Sequence, residues 1–242
     1  MPTLSWLIQV PPNPTHTWKR VAWSPALSLF AAVNTSGKND GQTVMTSPNG
    51  TTWTLRTTPV GLAATCIAWS PELGMFAAGS DGDSGTTQSI MTSADGITWT
   101  PRTHAVHASA YITGGMAWSP SLSMFVAIGG LTIANSFTIR STDGLTWTYA
   151  GQAANKEWRD IVWSPELSLF VAVSEFGTGN RVYTSPDGVV WTLRTSAADI
   201  SWQSVTWSPD KTLFVAVSSG GSPDRIMTSP DGITWTLRSI TT

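Results

Sequence analysis

The sequence predicts an all-β protein made of five copies of one four-stranded unit, and three observations carry that prediction. The tripeptide Trp-Ser-Pro occurs at Trp23, Trp69, Trp118, Trp163 and Trp207, at spacings of 46, 49, 45 and 44 residues. A second tryptophan series follows in register within "SPNGTTWT", "SADGITWT", "STDGLTWT", "SPDGVVWT" and "SPDGITWT", at Trp53, Trp99, Trp147, Trp191 and Trp235. Between these markers lie short β-branched and aromatic runs separated by turn residues, and no stretch shows helical periodicity.

The fourth unit shows the elements most clearly. "WRDIVWS" (158–164) reads as a first strand, ended by the turn that Ser164-Pro165 opens, because proline presets the dihedral of the second turn position. "LFVAV" (169–173) is continuously apolar and so reads as a strand buried on both faces. "RVYTS" (181–185), the turn Pro186-Asp187-Gly188 and "WTLRT" (191–195) complete the unit, the last strand alternating apolar and polar residues like the rim of a sheet. Four antiparallel strands recurring every 45 residues or so describe the blade of a propeller. An open stack would need end units with polar outer faces, and no unit has one. The expected fold is therefore a five-bladed β-propeller in a single domain. Its N-terminal strand and entry loop occupy 1–17, and its blades fall at about 18–57, 64–103, 113–150, 158–196 and 202–242.

The segment "SWLIQV" (5–10) has the look of a further fourth strand, although unit five already owns one at 235–240. It is expected to lie against the last blade and help close the ring, with pairing to a neighbouring chain as the alternative.

Composition narrows the function classes. Thirteen basic and 15 acidic side chains in 242 residues leave a formal charge of −2, which points away from a nucleic-acid partner. The single cysteine, Cys66, excludes an internal disulfide and sits in the apolar run "ATCIAWS", as a core residue would. No apolar run approaches the roughly 18 residues of a membrane helix, and the N-terminus lacks the pattern of a signal peptide, so a soluble protein is expected.

The Ser-x-Asp-Gly-x-x-Trp units resemble the Asp-box, or BNR, repeats of sialidases and many other propellers, departing from that pattern in that glycine follows the aspartate directly. The repeat as a whole is similar to those of bacteriophage-encoded SPDGxTW proteins, in which propellers decorate the particle. The resemblance implies that the hairpin joins strands three and four of each blade and that its role is structural. The residues agree: aspartate accepts turn amides, glycine supplies positive φ and tryptophan anchors the hairpin. Asp95, Asp143, Asp187 and Asp231, with Asn49 in unit one, are thereby assigned to turns rather than to catalysis.

A binding site is expected on the opposite face, where the units differ. The loops 34–42, 79–88, 129–136, 174–180 and 218–224 and the crossovers between blades share no common sequence, whereas the Ser-Pro turns and Asp-Gly hairpins are nearly uniform. Trp18, Trp158 and Trp202 begin three of the first strands on that face, where they either stack on sugar rings or pack between blades. Arg20, Glu157, Arg159 and Asp160 lie near the same channel mouth and Tyr111 in a neighbouring loop. His104 and His107 lack an accompanying carboxylate or cysteine, and "DGDSG" (81–85) lacks a calcium loop's remaining ligands, so no metal site and no cofactor are expected. The resemblance to sialidases implies an arginine cluster and a tyrosine nucleophile, for which only Tyr111, Tyr149 and Tyr183 are on offer. A non-enzymatic module for glycans or for other virion proteins is the expected function, with a glycoside hydrolase or a pure scaffold as the alternatives.

Overall fold

The computed structural model describes residues 10–37, 39–59, 61–81, 88–104, 111–130, 136–220 and 225–239. Five four-stranded antiparallel sheets are present, and each is a simple meander. Blade 1 holds β1 (Trp18–Ser24), β2 (Leu29–Asn34), β3 (Val44–Ser47) and β4 (Thr54–Arg56). Blade 2 holds β5 (Ala64–Ser70), β6 (Met75–Ser80), β7 (Ile90–Ser93) and β8 (Thr100–Arg102). Blade 3 holds β9 (Gly115–Ser119), β10 (Met124–Gly130), β11 (Ser136–Ser141) and β12 (Thr148–Gln152). Blade 4 holds β13 (Trp158–Ser164), β14 (Leu169–Ser174), β15 (Val182–Ser185) and β16 (Thr192–Arg194). Blade 5 holds β17 (Trp202–Ser208), β18 (Leu213–Ser218), β19 (Ile226–Ser229) and β20 (Thr236–Arg238). The arrangement is the expected propeller. The N-terminal strand assigned to ring closure lies outside the described residues.

Each Ser-Pro turn folds in the same way. The Ser24 hydroxyl oxygen accepts the Leu27 amide at 3.1 Å and the Ser28 amide donates to the Pro25 carbonyl at 3.3 Å, and the other blades repeat the first bond. The residue closing the turn adopts left-handed φ in every blade: Ser28 (48°), Gly74 (61°), Ser123 (47°), Ser168 (49°) and Thr212 (46°). Only blade 2 uses the residue that does so without strain.

The Asp-Gly hairpins are equally regular. The four aspartates accept the amides two and three residues ahead at 2.7–2.8 Å, and the preceding serine hydroxyl donates to the same carboxyl at 2.9–3.0 Å. Asn49 makes the equivalent bonds with its amide oxygen. The hairpin glycines Gly50, Gly96, Gly144, Gly188 and Gly232 all have φ between 69° and 73°. In blades 1, 2, 3 and 5 the hairpin tryptophan turns back and donates its indole N–H to that glycine's carbonyl at 3.1–3.2 Å.

The core sits between blades. Phe76, Phe125, Phe170 and Phe214 are fully buried, each paired across the strand turn with the Trp-Ser-Pro tryptophan of its own blade at 4.5–4.7 Å between ring centroids. Four apolar clusters fill the joints between blades 1 and 2, 2 and 3, 3 and 4, and 4 and 5. Burying one such phenylalanine contributes about 1.5–3 kcal/mol, so the joints dominate the stabilisation of the disc. Cys66 is buried in the joint between blades 2 and 3, where loss of hydration pushes its thiol up to about 11.

Candidate functional site

The first strands of blades 1, 2, 4 and 5 share a register shift near their N-terminal ends, between Trp18 and Arg20, Ala64 and Cys66, Trp158 and Asp160, and Trp202 and Ser204. The extra residues are Lys19, Thr65, Arg159 and Gln203, and all of them line one cavity of about 400 Å³. A bulge re-aims its side chain away from the regular alternation of the strand, here into the mouth of the central channel. Arg20, Ser204 and Thr113 complete the inner wall, so all five blades contribute, and Thr35 and Asp81 extend it towards the loops that follow the second strands.

Arg20 crosses the channel. Its guanidinium donates to the carbonyls of Arg159 at 3.0 Å and Gln203 at 3.4 Å and lies 3.5 Å from the Asp160 carboxylate. Asp160 also accepts the Ser204 hydroxyl at 2.5 Å and the Val205 amide at 3.0 Å, tying blade 4 to blade 5. Burial raises the Asp160 pKa above the usual carboxylate range, and Arg20 with these hydrogen bonds only partly opposes that rise. Arg159 pairs with both Glu157 and Glu175. Among the described residues no carboxylate pairs with the exposed Lys19, which leaves it as the cation most available to a ligand.

The structure separates the aromatic candidates. Trp158 is 3% exposed, stacks on Tyr183 at 4.9 Å and donates its indole N–H to the Ala154 carbonyl at 3.0 Å. Trp202 is fully buried and bonds the Ala198 carbonyl at 3.2 Å in the same way. Of the two roles open to these rings, Trp158 and Trp202 take packing and are not offered to sugars: each crossover folds over its tryptophan and its carbonyl accepts the indole N–H. Trp18 remains half-buried, 6.0 Å from the His16 ring. Tyr111 does not line the cavity; its carbonyl accepts the Gly130 amide at 3.0 Å. His104 is buried against the Ser89 hydroxyl at 2.7 Å, and burial lowers its pKa, while His107 lies outside the described residues. Among the described residues no three His, Cys, Asp or Glu side chains gather as a metal site would require.

Sequence reasoning named Arg20, Arg159 and Asp160 but passed over Lys19, Thr65, Thr113, Gln203 and Ser204. A signal was present: in a chain that repeats itself closely, the second and third positions of the first strand read Lys19-Arg20, Thr65-Cys66, Gly114-Gly115, Arg159-Asp160 and Gln203-Ser204, the two least uniform places in that strand.

No family model and no curated protein matches the chain. Solved structures do resemble it. One chain of a nidogen/laminin complex superposes with a TM-score of 0.66 at 11% identity over 89% of this chain and 76% of its own. The GH74 xyloglucanase of Xanthomonas campestris gives 0.62 at 14% identity over 90% of this chain, which spans only 38% of the enzyme. At such identities the likeness is one of fold. The protein is thus a β-propeller with a polar cavity at one end of its channel, and among the described residues no helix is long and apolar enough to cross a membrane.

Proposed function

We propose that this propeller is a non-enzymatic recognition module that binds a polyhydroxylated ligand, a glycan, at the channel mouth. The observation that carries this reading is the set of bulged residues. Lys19, Thr65, Arg159 and Gln203 offer donors and acceptors of different chemistry at equivalent points of a repetitive scaffold, around a space of about 400 Å³ that suits a small oligosaccharide terminus. The recurring carboxylates are engaged in hairpins, and Asp160 is held by Arg20, Ser204 and Val205. The resemblance to Asp-box and phage-encoded repeats supports placing such a module on a virus particle, where it would meet host-cell glycans.

A glycan array with the purified chain tests the proposal. Binding without turnover is expected, and Lys19→Ala and Gln203→Ala should each weaken it about tenfold without changing the melting temperature, since one hydrogen bond to a ligand is worth on the order of 1.4 kcal/mol. Release of free sugar that disappears in Asp160→Asn would instead identify a glycoside hydrolase.

A further inference from the structure

The Ser-Pro turns and the Asp-Gly hairpins form the end of the disc opposite the cavity, and their surface is more apolar than turns require. Among the described residues, eight of the 15 exposed large apolar side chains belong to these turns. Turn chemistry does not ask for them. Thr51 takes the position after the hairpin glycine in blade 1, and its amide donates to Asn49 as those of Ile97, Leu145, Val189 and Ile233 donate to the hairpin aspartates of the other blades. Lys211 stands in the blade 5 turn where Leu27, Leu122 and Leu167 stand in theirs, and its amide still bonds the serine hydroxyl, at 3.4 Å. Apolar side chains kept in water where polar ones fold equally well point to a surface that something covers.

These residues are densest across the joint between blades 3 and 4. Leu122 and Leu145 on blade 3 and Leu167, Val189 and Val190 on blade 4 are between 36% and 65% exposed. A Cβ at Gly188 would lie 2.7 Å from Val126 and 3.1 Å from Met124, so the blade 4 hairpin sits directly on β10, the strand that Leu122 leads into, and the two blades present one continuous surface. The backbone beneath it is fixed by the turn hydrogen bonds, so little order has to be gained on binding. Charge decides what can cover it. The ten turns hold seven of the chain's 15 acidic side chains against one of its 13 basic ones, Lys211, and Asp143, Glu166 and Asp187 belong to the same turns as the five apolar residues. A second copy meeting this end with its own would set acid against acid, and an anionic lipid surface would be repelled for the same reason. We infer that the hairpin end of blades 3 and 4 is a docking surface for a basic amphipathic segment of another protein, whose apolar side chains cover Leu122, Leu145 and Val190 while its lysines or arginines pair with Asp143, Glu166 and Asp187. The surface lies at the far end of the disc from the channel mouth, and the inference does not depend on what the mouth binds.

The test is titration of the full chain, followed by calorimetry, with an amphipathic helical peptide of leucine and lysine and with its counterpart in which glutamate replaces lysine. The lysine peptide is expected to bind with an affinity that falls as salt is added, and the glutamate peptide is expected not to bind. A Leu122→Ser/Val190→Ser variant should weaken the lysine peptide about tenfold with the melting temperature unchanged, since both side chains are exposed in the free chain. Failure of the lysine peptide to bind, or binding that the double variant leaves untouched, would overturn the inference, the latter because charge alone would then be at work. Sedimentation of the chain by itself should show no association. Dimers that the double variant abolishes would assign the surface to a second copy instead, and co-flotation with phosphatidylcholine vesicles that the variant abolishes would assign it to lipid.

Discussion

Asp95, Asp143, Asp187 and Asp231 each organise a hairpin through one carboxyl oxygen. Those bonds hold all four carboxyls below the usual carboxylate range. Partial burial is the largest single influence at Asp95, Asp187 and Asp231 and acts upward, but the turn amides and serine hydroxyl together outweigh it; at Asp143 the Thr146 amide is largest. A depressed folded-state pKa gives stability that is present above the unfolded value of about 3.9 and is lost as pH falls through the folded value. The melting temperature should therefore drop below about pH 4. Changing all four residues to asparagine, as Asn49 already is, should flatten that acid limb while leaving the neutral-pH structure intact. Thr212 is the other informative residue, since a β-branched side chain at φ 46° is strained. Thr212→Gly should raise stability by about 1 kcal/mol, read as a rise of roughly 2–4 °C in thermal melting.

At the scale of elements, the joints explain which tryptophans are satisfied. Trp118 and Trp207 find glutamates on the preceding turn, but Ala26 and Ser121 hold that turn position before Trp69 and Trp163, whose indole nitrogens are buried without a partner. An unpaired buried donor costs about 1–3 kcal/mol. Ala26→Glu and Ser121→Glu should each install the missing acceptor and add roughly 1 kcal/mol in denaturant unfolding, with the m-value unchanged. The strands themselves were readable from the sequence to within a residue or so: "WRDIVWS" and "LFVAV" in unit four correspond to β13 and β14, the second one residue longer. Their apolar runs have to be buried on both faces, so their placement follows from composition. The bulges were not readable, because a register shift depends on how the first strand is bent towards the channel by its neighbours and leaves no turn residue behind.

At the scale of the whole molecule, Arg20 joins blade 1 to blades 4 and 5 across the axis. Arg20→Gln should destabilise the ring by roughly 1–3 kcal/mol at neutral pH, because it leaves the Asp160 carboxylate buried without its counter-charge. The sign of the pH dependence follows from the raised Asp160 pKa: protonation removes the uncompensated charge, so the loss should shrink as pH falls towards the raised value. Thermal melting of the variant and the parent at a series of pH values checks this, and a loss that grows on acidification would contradict it.

The sequence alone determined the unit, its number and its hairpins, since repeated tryptophans, turn residues and apolar runs specify local geometry and local hydrogen bonds wherever they occur. It also indicated which face of the disc varies. Only the tertiary structure decided which aromatic rings are interior and which side chains the bulges deliver to the channel mouth. Those outcomes depend on the rotation between successive blades, and that rotation is set by packing between residues about 45 positions apart rather than by any residue's own preference.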